Sequence, residues 1–264
     1  MLKFIIIYIC FLIYTCGLLI KLTDNNFVSL IGPITTNSVN DVIKSLNSKN
    51  IIEYMDENDE INLYINSPGG SVFAGTHLIQ YINSLKESKI VVNCIGQNFM
   101  SMAFIIMQVC DNRYVMFNSI GMQHQMSISI KGNIENFKNH FNLLERVNDK
   151  LTNIQINKID MTKDEFKKNT LSDWWLYGHE NVEEGVADKL VTIKCHPSIM
   201  YQKNKRVDSI LNVDFTIELN KCPILVDVKI MDNSIQNISK LNKYYDSINY
   251  LFNVKEIVDK FKLN

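Results

Sequence analysis

Residues 61–72 read Ile-Asn-Leu-Tyr-Ile-Asn-Ser-Pro-Gly-Gly-Ser-Val: an apolar run that enters a Pro-Gly-Gly turn and emerges into helical spacing. This limits the fold sharply. A short run rich in β-branched and aromatic residues, stopped by turn residues, is a buried strand. Two glycines between strand and helix let the backbone approach a neighbour closely and point N–H groups outward. The same plan recurs along the chain. Phe27–Ile31 is a short strand ended by Gly32-Pro33, and Thr36–Leu46 has apolar residues at helical spacing (Val39, Val42, Ile43, Leu46). Val72–Leu85 is a helix, Ile90–Ile95 a strand, and Gly96-Gln97-Asn98 a turn into an apolar helix over Met100–Met107. Arg113–Phe117 and Gly121–Met126 are two further short strands. Alternating strand, turn and helix predicts an α/β domain.

Ile134 to about Lys158 is predicted as one long amphipathic helix, with Phe137, Phe141, Leu144, Leu151 and Ile154 forming the stripe expected to bury it. Thr162-Lys-Asp-Glu165 is a capping box for the helix after it. Asn181–Glu184 begins a short helix ended by Gly185. The stretch 196–264 alternates apolar and charged residues without a chemical motif and is read as an extension of unknown role. Before the domain, residues 1–22 carry Lys3 and then an apolar run. Its length lies between a signal-peptide core and a spanning helix, so it is expected to be a leader or anchor, with the folded domain over 23–195.

Composition excludes more than it identifies. A formal net charge of −1 gives no electrostatic footprint for nucleic acid. The six cysteines form no CxxC pair and have no histidine at ligand spacing, so no metal site is predicted and the thiols are expected to be free. Neither a Gly-Lys-Ser/Thr loop nor GxGxxG follows the glycine turn, so no nucleotide or other cofactor is expected.

Four segments in order, Ile65–Val72 (INSPGGSV), Cys94–Gln97 (CIGQ), His124-Gln125 and Asn169–Gly185, resemble the proteolytic subunit of the ATP-dependent Clp protease across about 27–191. The resemblance implies a ClpP/crotonase-like fold of repeated β-β-α units with a long handle helix. The family places its nucleophilic serine in Ala-Ala-Ser-Met-Gly. Laid on this chain without gaps, that pattern falls on Asn98, Phe99, Met100, Ser101 and Met102, so Met100 takes the nucleophile position. His124 and Asp173 take the places of the base and its orienting acid, and the oxyanion donors fall on the N–H groups of Gly70 and Ser101. A thioether cannot form an acyl-enzyme. The resemblance therefore implies a non-catalytic, ClpR-type subunit with triad relics.

Phe99 and Met102 stand where the family has small residues and are expected to crowd the elbow. Ser127-Ile128-Ser129-Ile130 replaces the family's glycine pair in its substrate strand, and Ser172 replaces an arginine that couples stacked rings. The resemblance further implies a homo- or hetero-heptameric ring with Clp-type subunits, an AAA+ Clp unfoldase as partner, and unfolded polypeptide passing through the ring. The apolar leader and the Asn-, Ile- and Lys-rich composition suggest an apicomplexan plastid reached by the secretory route. Two alternatives stand beside this reading: an active serine endopeptidase using Ser101 with His124 and Asp173, and a crotonase-like acyl-CoA enzyme sharing the glycine-rich oxyanion hole.

Overall fold

The computed structural model describes residues 18–47, 59–129, 132–210, 213–225 and 228–230. Strand β1 is Leu18–Leu22 and β2 is Phe27–Ile31. Helix α1 spans Thr36–Leu46, opened by a reciprocal capping box between Thr35 and Ser38; it buries Val39, Val42 and Leu46 at the spacing of one helix face. Strand β3 is Glu60–Ser67, buried at every residue after the first, as a central strand covered on both faces must be. The Pro-Gly-Gly turn leads to α2 (Val72–Glu87), whose N-cap Ser71 accepts from the Ala74 N–H. Strand β4 is Val91–Met100, α3 Met102–Met107 and β5 Asn112–Gln123. The long helix α4 covers Ile134–Ile159, and α5 (Lys163–Asn169) starts at the predicted Thr162–Glu165 capping box. Strand β6 (Trp174–Tyr177), helix α6 (Glu180–Glu183) and strand β7 (Lys189–Cys195) complete the domain.

The main sheet runs β1-β7-β5-β4-β3-β2, parallel throughout, with β6 antiparallel on the outer half of β5. A mostly parallel sheet with interleaved helices is the α/β, ClpP-like arrangement expected. After it come α7 (Pro197–Met200) and an antiparallel sheet of β8 (Lys203–Ile210), β9 (Val213–Asn220) and β10 (Val228–Ile230).

Several expectations change. The apolar run was assigned to a leader as far as Leu22, but Leu18–Leu22 pairs with Leu18 opposite Val191 and Leu22 opposite Cys195, so the sheet begins within that run. The run's first part, residues 1–17, lies outside the described residues. The two short strands after Arg113 are one continuous β5. Gly96-Gln97-Asn98 does not turn the chain: β4 continues through it to Met100, absorbing an irregularity at Gln97 where the register jumps from Ile65–Gly96 to Asn66–Asn98.

The cysteines also pair. Cys94–Cys110 joins β4 to the end of α3, and Cys195–Cys222 joins β7 to the segment after β9. Cys222 is buried with Tyr64, Ile95, Val191 and Ile199, which seats the C-terminal segment on the main domain. Finally, α4 is buried only in its second half, at Leu151, Gln155 and Ile159; Phe137 and Phe141, predicted to bury it, are 48% and 42% exposed and stack on each other. Among the described residues, no helix is long and apolar enough to cross a membrane.

A strand-to-helix elbow at the end of the sheet

The site lies where β4, β5 and β6 end together. Met100 pairs with Met122, and Gln123 pairs with Trp174 as the last rung of the antiparallel β5–β6 ladder. One residue further along each strand stand His124 and Asp173. The ladder stops at the Gln123–Trp174 rung, and His124 and Asp173 lie just beyond it, at the same end of the sheet. His124 is half-buried and Asp173 exposed. Among the described residues no hydrogen bond or ion pair joins the His124 ring to either Asp173 or Ser101.

The strand-to-helix turn is not where the helix reading puts it. Met100 was expected inside a helix, which would rotate Ser101 about 100° away from it. Instead Met100 is the last residue of β4 and is buried, 5% exposed. The sharp turn belongs to Ser101, with φ 53° and ψ −118°, backbone values that a side-chain-bearing residue rarely adopts. Five other helices begin with a capping side chain bonded to the backbone: Thr35, Ser71, Asn133, Thr162 and His196. Ser101 also begins a helix, yet its hydroxyl caps nothing.

The N–H groups around the elbow are bonded differently from one another. The Ser101 N–H donates to the Met122 carbonyl at 2.8 Å, so it is committed to the sheet. The next N–H, that of Met102, opens α3 and has no intrahelical acceptor. Across from it lies the glycine turn. A Cβ on Gly69 would come within 2.6 Å of the Met100 carbonyl oxygen, 2.8 Å of the Ser101 Cβ and 3.0 Å of the Met102 nitrogen, so only glycine lets the two loops touch. Gly70 is exposed and locked in place by its neighbours: Ile34 N–H donates to the Gly69 carbonyl at 2.8 Å, and Ser71 N–H to the Ile34 carbonyl at 2.9 Å. The Gly70 N–H has no acceptor among the described residues. Gly70 was expected as a donor from sequence; Met102 was not. The signal that could have found it is the Ser101-Met102 pair itself, which reproduces the family's Ser-Met step one residue later.

Crowding by Phe99 and Met102 does not occur. Both point into the core, 0% and 1% exposed. Phe99 fills the space over two glycines, since a Cβ on Gly96 or Gly121 would lie 2.5 Å or 2.9 Å from its ring. Met102 packs against Gly75 of α2. Beneath the elbow an aromatic row runs Phe99–Phe104–Trp174–Phe166, with centroids 6.0, 6.0 and 6.3 Å apart, linking β4 to the strand that carries Asp173.

A second polar cluster steadies the frame. Buried Arg113 bonds Asp188, Gln108 and the Gly185 carbonyl. Burial alone raises the Asp188 pKa, but the hydrogen bonds and charge of Arg113 together outweigh it and hold the carboxyl below its ordinary value. No cluster of metal ligands occurs among the described residues.

A mostly parallel sheet that brings a hydroxyl on a strained elbow, an imidazole and a carboxylate to one end has the frame of an α/β serine hydrolase. The family model for Clp protease matches residues 15–194, well over half of the chain, and the chain belongs to the Clp protease family.

Proposed function

We propose that this chain is a working serine peptidase subunit of the Clp type, with Ser101 as nucleophile, His124 as general base and Asp173 as the group that orients it. The observation that carries this reading is the elbow. Ser101 holds the strained turn, its N–H is tied to Met122, its hydroxyl is uncommitted, and the N–H of the following residue has no acceptor. In such a site the hydroxyl attacks the peptide carbonyl while the imidazole takes its proton. The Gly70 and Met102 N–H groups stabilise the oxyanion, the imidazolium returns the proton to the leaving amine, and water releases the acyl group.

The reading departs from the expectation of a non-catalytic subunit because a one-residue irregularity at Gln97 moves the elbow one place along the sequence. One observation favours the non-catalytic reading: in the single chain no hydrogen bond joins His124 to Asp173. Clp proteases typically form oligomeric rings with Clp unfoldases, and we place this chain in such a ring. The exposed Phe137 and Phe141 of α4 are surfaces that a ring neighbour would cover. A plastid reached through the secretory route remains part of the proposal. The two disulfides support passage through an oxidising compartment.

Hydrolysis of a fluorogenic peptide by the assembled protein tests the function. Cleavage lost in Ser101→Ala and kept in Met100→Leu supports it. No cleavage by the assembled ring, with or without an unfoldase, supports the non-catalytic reading.

A further inference from the structure

The sheet ends one residue too early to hold the base. Gln123 is the last residue of β5, and residues 124–129 lie in no strand, so the His124 N–H has no ladder partner. A buried or half-buried N–H in that position must find an acceptor elsewhere. It finds the side chain of its own neighbour: His124 N–H donates to Gln123 Oε1 at 3.0 Å. The Gln123 amide is in turn held from α4. Its Nε2 donates to Gln155 Oε1, and Gln155 Nε2 donates to the Leu151 carbonyl one turn back, at 3.0 Å. Both glutamines are 3% exposed. A pair of buried amides with directed bonds is harder to shift than an apolar contact, since each polar atom moved off its partner is left unsatisfied.

We infer that Gln123 and Gln155 are positioning residues that clamp the His124 backbone, and hence its imidazole, from the anchored half of α4. The inference rests on His124 acting as the general base. It adds two residues that the triad reading does not contain, and it gives a reason for the one polar side chain buried on α4. Gln155 sits between the apolar anchors Leu151 and Ile159, where packing alone calls for an apolar residue.

The test uses the assembled full chain and four variants: Gln123→Met, Gln155→Met, the double variant, and Gln123→Glu. Each single methionine leaves a buried amide unpaired and lowers the melting temperature. The double removes both amides and regains most of that loss, because replacing both partners by apolar groups of similar shape is close to neutral. A purely structural role predicts that activity returns with stability in the double. The clamp predicts that it does not: kcat falls about 10- to 100-fold in Gln123→Met and stays low in the double, with KM little changed, because a base misplaced by ~1 Å costs that much. Gln123→Glu keeps an acceptor for the His124 N–H but loses the donor to Gln155 Oε1, so its kcat lies between those of the wild type and Gln123→Met.

Hydrogen exchange at the His124 amide provides a readout independent of activity. It speeds up in Gln123→Met and in the double. A double variant with wild-type kcat and a wild-type His124 exchange rate overturns the clamp. If the wild-type protein neither cleaves nor labels, the catalytic reading falls on its own, and the exchange rate alone decides the clamp: unchanged protection in Gln123→Met refutes it.

Discussion

The two arms of the site are built differently. On the nucleophile arm every element is fixed from below: the elbow at Ser101 is tied to Met122, the glycine turn touches it, and Phe99 and Met102 are sunk into the core beneath. On the acid arm His124 and Asp173 lie just beyond the last rung of the ladder, yet Asp173 is exposed, and among the described residues no hydrogen bond or ion pair joins it to His124. A strained backbone persists only where the surroundings over-determine it, so the first arm is made by the fold of one chain. The second is not closed in the single chain, and under the proposed function its closure would fall to a ring neighbour. Substitutions on the nucleophile arm should therefore damage stability and activity together, apart from the reactive hydroxyl itself. Substitution of the exposed Asp173 should damage activity alone.

The largest effect is expected at Ser101. Ser101→Ala lowers kcat/KM by about 10⁴-fold or more while leaving the melting temperature nearly unchanged. The variant Met100→Ser/Ser101→Ala, which moves the hydroxyl to the strand position, stays inactive; peptide hydrolysis by that variant would return the nucleophile to position 100. Next comes Asp173→Asn. It costs up to roughly 10⁴-fold in kcat, the scale of losing the group that fixes the imidazole tautomer, and shifts stability by less than about 0.5 kcal/mol because the side chain is exposed. A large loss of stability would show that the acid arm is already packed in the single chain.

Phe99→Ala breaks the comparison from the other side. It empties the space over Gly96 and Gly121 and costs about 3–5 kcal/mol in chemical denaturation. A cost under ~1 kcal/mol would mean that the elbow does not rest on the core.

Acid sharpens the picture through Asp188. Its folded pKa is held below the ordinary 3.8, so the stabilisation it gives is present above that value and is lost as pH falls through it toward the depressed one. Melts between pH 6 and pH 3 should show this loss in the wild type and a smaller one in Asp188→Asn. The smallest effect on the single chain is predicted for Phe137→Ala with Phe141→Ala, within about 0.5 kcal/mol since both rings are exposed. The same double variant should lower the assembled mass in analytical ultracentrifugation.

Periodicity and punctuation revealed most of the frame. Thr36–Leu46 is the helix the apolar spacing predicts, and the Thr162–Glu165 box opens α5 where the motif places it. His124 and Asp173 were singled out through their flanking residues, and the fold brings both to the same end of the sheet. The elbow was not legible. Gly96-Gln97-Asn98 has the composition of a turn, yet the flanking strands hold it in the sheet, with Gln97 as the one extra residue against β3 and a longer slip on the β5 side, from Gly96–Val115 to Asn98–Ile120; such an irregularity leaves no mark on spacing while moving every position after it. The bond from the Ser101 N–H to the Met122 carbonyl was illegible for the same reason, because it is a property of sheet register alone. The disulfides were illegible because their partners meet only through the fold: Cys94 and Cys110 are 16 residues apart, Cys195 and Cys222 are 27 apart, and neither pair carries a spacing motif.

The most direct test of the central claim is covalent. A fluorophosphonate probe reacts with a serine only where a base, an oxyanion hole and a correctly placed hydroxyl coincide. Incubated with the assembled protein and mapped by peptide mass spectrometry, it should modify Ser101 in the wild type and in Met100→Leu, and nothing in Ser101→Ala or His124→Ala. An assembled wild-type ring that takes up no probe at Ser101 would contradict the account.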